Sequence, residues 1–190
     1  MLRKQYLILV LIFMLVQTAC AGAVVTSVPT PTEVIPTDEC PTAIAELKLL
    51  KNTEAGYCLL YPANYSGDIQ GLIVINPVPE PGGDMPGDAW VLIQVEAANG
   101  RTAAQVADAA IAAAGTGFNI TKSEILIDGA QAVVVDGIPG QDSNRTVFAV
   151  SNDRLYTLTF QPWYPSTDAS QPTPLEGLYA TIIDTLHFMH

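Results

Sequence analysis

The chain has 190 residues, with 19 acidic and 8 basic side chains and a formal net charge of -11. Such a surface repels nucleic acid and anionic headgroups at close range, which excludes DNA and RNA as partners. Hydrophobic residues make up 49% of the chain and charged ones 14%. A sizeable core is therefore available, while the surface must rely on Thr, Ser, Asn, Gln, Gly and Pro.

In chain order, Met1-Leu-Arg3-Lys4 is a basic start and Tyr6 to Val16 an uninterrupted apolar run. Gln17-Thr18-Ala19-Cys20 closes it with small residues around a cysteine. A bilayer span needs about 20 apolar residues, and this run stops short of that. The pattern is that of an export leader. The segment resembles a bacterial lipoprotein signal, with Gln17 standing where an aliphatic residue is usual. The resemblance implies a signal peptide over residues 1–19 and a diacylated Cys20. It also implies a lipid-anchored position at the cell membrane, facing the extracytoplasmic side. The alternative is an ordinary signal peptide, cut after Ala21 or Ala23.

Residues 20–39 are rich in Thr and Pro, which favours extended, poorly packed backbone. They read as a tether, and residues 40–190 as a single globular domain. With Cys20 assigned to lipid, Cys40 and Cys58 remain as an even pair, which an oxidising compartment favours as a disulfide. It would close a loop of about 18 residues, worth about 3 kcal/mol in the chain-entropy model. The competing reading makes Cys58, between Tyr57 and Leu59, a buried small hydrophobe. Two cysteines far from any histidine do not make a zinc site.

Within the domain, Tyr57 to Tyr61, Leu72 to Ile75 and Trp90 to Val95 are β-rich runs. Asn76 to Asp88, dense in Pro and Gly, is expected as a long exposed loop. Thr102 and Gln105 form a capping box ahead of an Ala-rich helix that Gly115 stops. Ser123 to Ile127 and Gln131 to Val135 flank the turn Asp128-Gly129-Ala130. Thr146 to Val150 and Leu155 to Phe160 flank Ser151 to Arg154. Large apolar residues alternate with threonines from Tyr156 to Phe160, as in a half-buried antiparallel strand. A last helix opens with Thr173-Pro174-Leu-Glu176 and aligns Leu175, Leu178, Tyr179, Ile182 and Leu186 on one face.

Tyr57-Cys-Leu-Leu-Tyr61-Pro62-Ala-Asn-Tyr65 resembles the strand that opens many Mog1/PsbP-like domains. The order of the Ala-rich helix, hairpins, the Leu155 to Phe160 strand and the closing helix is similar too. The resemblance spans about residues 50 to 189. It implies an α+β fold, a mainly antiparallel β-sheet covered by helices in an α/β/α sandwich. It also implies a binding or accessory role without catalysis.

The residues offer little chemistry. There is no Gly-x-Ser-x-Gly elbow, and Gly82-Gly83 lacks the Lys-Ser/Thr and helix of a phosphate-binding loop. The histidines, His187 and His190, have no third ligand near them in sequence and read as a frayed end. No catalytic residue, metal site or cofactor is expected. Glu80, Asp84, Asp88 and Asp68 could supply oxygens to calcium, but without EF-hand spacing they read as solvated carboxylates. Trp163 and Tyr164, between Pro162 and Pro165, are the preferred contact surface, since aromatic side chains are common anchors; capping of the sheet edge is the equal alternative. The expected function is a membrane-anchored, non-catalytic lipoprotein that binds an unidentified protein. The alternative is an exported lipoprotein that binds calcium or a small ligand.

Overall fold

The computed structural model describes residues 39–75 and 89–189. The leader (residues 1–19), Cys20, the tether up to residue 38, and the Glu80, Asp84 and Asp88 segment lie outside the described residues. So do Gly82, Gly83 and His190.

The described chain is α+β and its strand pairing is antiparallel throughout. Among the described residues there are ten strands and two helices. They are β1 (Leu47–Asn52), β2 (Tyr57–Pro62), β3 (Ser66–Gly67), β4 (Leu72–Ile75), β5 (Ala89–Ala97), α1 (Ala103–Ala114), β6 (Thr121–Ile127), β7 (Ala130–Asp136), β8 (Arg145–Ser151), β9 (Arg154–Gln161), α2 (Pro174–Thr185) and β10 (His187–Phe188). A seven-stranded sheet runs β3-β4-β5-β9-β8-β7-β6, and a three-stranded sheet runs β1-β2-β10.

Strand alternation sorts the large sheet into two faces, since successive side chains point to opposite sides. Ile73, Val91, Ile93, Val134, Val147, Tyr156, Leu158 and Phe160 share one face. There they pack on Tyr57, Leu59 and Tyr61 of β2 and on Leu175, Leu178 and Ile182 of α2. Val133, Val135, Phe148 and Leu155 take the other face, against Ala103, Val106 and Ala107 of α1. Helix α1 lies over β7 and β8. The expected sandwich is thus present, with one outer layer shared between α2 and the small sheet. Fully burying a side chain such as Phe160 contributes about 3 kcal/mol.

The local signals are realised in the backbone. Thr102 and Thr173 each accept from the amide three residues on, and Gln105 and Glu176 bond back to the cap amides. Asp128 and Gly129 have φ of 49° and 76°, and Asn152 and Asp153 have 52° and 55°. These are the two-residue turns with two positive φ values whose twist suits a hairpin.

Candidate functional site

The aromatic corner begins where β9 ends. Phe160 points into the core, and beyond Gln161 and Pro162 the Trp163 amide donates to the Ser143 carbonyl at 2.7 Å. That bond turns the indole inward, so Trp163 is only 5% exposed. Its ring meets Phe160 at 6.3 Å and Tyr179 at 5.6 Å, both edge-on, the geometry preferred by ring quadrupoles. The contact-surface reading is corrected for Trp163, whose burial fits the equal alternative of a cap on the sheet edge. Trp163 belongs to the core, and Tyr164 alone faces solvent, at 64% exposure. Beside Tyr164 lies a shallow depression of about 210 Å³, walled chiefly by Ile75, Ala89, Pro162, Pro174 and Leu175.

Arg145 holds this corner from below. Its guanidinium donates two 2.8 Å bonds to the Asp136 carboxylate, the fork-to-fork arrangement that suits arginine. The same group lies 4.0 Å from the Trp163 ring centre and 4.7 Å from that of Tyr179, where ring faces attract cations. Burial works against the Arg145 charge, but the bonds and charge of Asp136, with Tyr179 and Glu176, outweigh it and raise its pKa. Burial also raises the pKa of Tyr179. The Glu176 carboxylate accepts from the Ser166 amide at 3.0 Å and the Thr173 amide at 2.7 Å. Those bonds, foremost the one from Ser166, hold its carboxyl below the usual range. The 166–171 loop is thereby tied to the first turn of α2, under Tyr164.

The cysteines meet as expected. Cys40 and Cys58 form a disulfide with Cα atoms 5.7 Å apart. Cys58 is also fully buried, so the pairing and the burial read from the sequence are both present. Across β2 from it, Cys58 stands opposite His187 in register.

His187 is no frayed end. Its Nδ1 lies 2.9 Å from Asp128 Oδ2, and its side chain is 12% exposed. The Phe188 amide donates to that same oxygen at 2.9 Å. The physical reason is β10, which docks the chain end on β2 and against the β6–β7 turn. His187 Nε2 has no hydrogen-bond partner among the described residues. Asp68, considered for calcium, instead accepts from the Gln70 and Leu72 amides through Oδ1, closing its own turn.

Among the described residues, no group of three or more His, Cys, Asp or Glu side chains could hold a metal ion. The buried Tyr57 phenol is pushed up to about 12 by burial. An open groove of about 470 Å³ runs past Glu54, Glu96, Asp153 and Arg154. Three of these four side chains have partners: Arg154 donates to the Glu54 carbonyl, Asp153 accepts from the Gly100 amide, and Glu96 pairs with Arg101.

The Arg145 cluster and the His187–Asp128 pair escaped the sequence reading. Arg145 and Asp136 are neighbours only through the β7–β8 register. A signal for the first was present in the alternation of β8, which places Arg145 on the core-facing side with Val147 and Ala149.

No family model matches the chain, and no curated protein does. Among solved structures, the chain is similar to the solution structure of cyanobacterial PsbP (CyanoP) from Synechocystis sp. PCC 6803. The match has a TM-score of 0.43 and 16% identity, and covers 79% of this chain and 97% of that one.

Proposed function

We propose that this chain is an exported, membrane-tethered binding protein that engages a protein partner through its Tyr164 corner, with no catalytic role. The observation that carries the reading is the division of labour between adjacent aromatics. Trp163 is locked into the core by Arg145, Phe160 and Tyr179, while Tyr164 stands exposed beside an apolar depression. An aromatic side chain on a fixed base loses little conformational freedom on binding, which makes it a good anchor. The basic leader and Cys20 supply the tether: lipid on Cys20 would hold the domain at the outer side of the cell membrane.

The experiment has two arms. In the first, Cys20→Ser moves the full chain from the membrane fraction to the soluble one; a variant that stays in the membrane would sink the anchoring. In the second, a photoreactive aromatic replaces Tyr164, or the likewise exposed Gln171 as control, in intact cells. A discrete adduct from position 164 that is absent from 171 supports the reading. Equal labelling from both positions, or none from 164, overturns it.

A further inference from the structure

Strand β6 closes one end of the seven-stranded sheet, and among the described residues it is bonded to β7 alone. The opposite end is the two-residue β3. An edge as long as β6 is a template for another strand unless something blocks it. The question is what would fit it.

The hairpin answers the first half. The turn Asp128-Gly129 makes Ile127 and Ala130 the closing pair. Bonded and non-bonded pairs then alternate along an antiparallel ladder. Ile125 and Ser123 therefore bond to β7, and Lys122, Glu124 and Leu126 turn their amides and carbonyls to the open side. The side chains of these three residues share the face that carries α1, and Leu126 is 67% exposed. Phe118, just before the strand, is 52% exposed.

A second copy can pair with these groups about a two-fold axis in five registers, of which one at Leu126 sets leucine against leucine and leaves Lys122 and Glu124 beyond the overlap of the strands. An axis at Lys122 sets lysine against lysine, and one at Glu124 sets glutamate against glutamate. An axis at Ile125 sets Glu124 against Leu126. Only an axis at Ser123 sets opposite charges face to face within the strands, and symmetry makes it do so twice. That register also brings exposed Leu126 opposite Ile120 of the second copy, toward its exposed Phe118. Charge and apolar complementarity thus agree on one alignment, and directly opposed unlike charges favour a strand pair. An edge lysine often blocks such pairing. Here Lys122 already pairs with Asp108 on α1, 2.5 Å away, so its charge is partly balanced within its own chain and faces Glu124 of the second copy without an unpaired lysine at the edge.

We propose that β6 is a homotypic docking edge: two copies pair antiparallel about Ser123, Lys122 of each opposite Glu124 of the other. One strand pairing of this length buries less than the roughly 1,200 Å² of standard interfaces, so the dimer is transient.

Ser123→Cys in the full chain tests it. On the axis, the two positions form a non-bonded pair with Cα atoms about 4.5 Å apart, inside the range a disulfide accepts. Mild oxidation should give a 123–123 bridge, read by mass mapping of non-reduced peptides so that bonds through Cys20 are not counted. Thr121→Cys, which faces Ile125 of the second copy, should bridge at least tenfold more slowly. Adding Glu124→Lys to Ser123→Cys sets lysine against lysine, leaves the Lys122–Asp108 bridge intact, and should slow bridging about tenfold. Mixing that variant with one carrying Lys122→Glu and Ser123→Cys should restore bridging between unlike copies. Equal bridging at 121 and 123, or no rescue on mixing, overturns the proposal.

Discussion

The Arg145 guanidinium grips Asp136 through two 2.8 Å bonds while lying 4.0 Å from the ring centre of Trp163. One side chain thus joins the β7–β8 ladder to the segment after β9 and, through Tyr179, to α2. Arg145→Lys keeps the charge but loses the fork and the flat face that stacks on the rings. We expect it to destabilise the fold by about 1–3 kcal/mol, measured by urea denaturation. Near-UV circular dichroism should report the loosened Trp163. A variant as stable as the parent would show that the cluster adds nothing beyond packing.

Asp128 accepts from both His187 and the Phe188 amide, so one carboxylate fastens β10 to the β6–β7 turn. Asp128→Ala removes both bonds and a residue suited to positive φ. Amide exchange should rise selectively at Phe188 and in the Asp128 turn, with a stability loss of about 1–2 kcal/mol. Asp128→Asn, which still accepts and tolerates the left-handed backbone, should recover much of it. Unchanged exchange at Phe188 in the alanine variant would contradict the role.

The Glu176 carboxyl titrates below its ordinary 4.5 because the Ser166 and Thr173 amides favour its charged form. A carboxyl depressed in the folded state adds stability above its unfolded pKa and loses it as pH falls through the folded value. The start of α2 and the 166–171 loop should therefore loosen only below about pH 4.5. Glu176→Gln should flatten the fall of Tm on acidification relative to the parent. An identical pH profile in the two proteins would refute this.

The disulfide closes a separation of 18 residues and fastens the segment around Cys40 to β2. Reduction, or Cys40→Ser, should cost about 3 kcal/mol on the chain-entropy estimate. Cys58→Ser should cost more, because it also places a hydroxyl at a fully buried position. Chemical denaturation of the two variants side by side gives the comparison; equal losses would mean that the buried site accommodates the hydroxyl.

How much was legible varied with the range of the interaction. Both capping boxes, the Gly115 stop and the two tight hairpins involve residues a few positions apart, so short motifs specify them. β1 was not read: Leu-Lys-Leu-Leu-Lys-Asn has no clean alternation, and only its ladder with β2 makes it a strand. β10 is two residues long and exists because Cys58 and Tyr57 lie beside it. At the corner, strand alternation ends at Gln161, so no periodic rule extends to Trp163 and Tyr164. The Ser143 carbonyl, from a different strand's approach, decided which of the two turned inward.

By itself the sequence indicated the α+β class, both helices and the β6–β7 and β8–β9 hairpins, and favoured the pairing of Cys40 with Cys58. It also carries the basic start, apolar run and Cys20 on which the proposed anchoring rests. Local backbone preferences and hydrophobic period are enough for these, because each depends on neighbours in the chain. The tertiary structure alone decided that Arg145 serves the core, that His187 is docked, and that of Trp163 and Tyr164 it is Tyr164 that is exposed. Among the described residues, it also left β6 paired with β7 alone. These outcomes depend on strand register, which brings together groups that no local pattern relates.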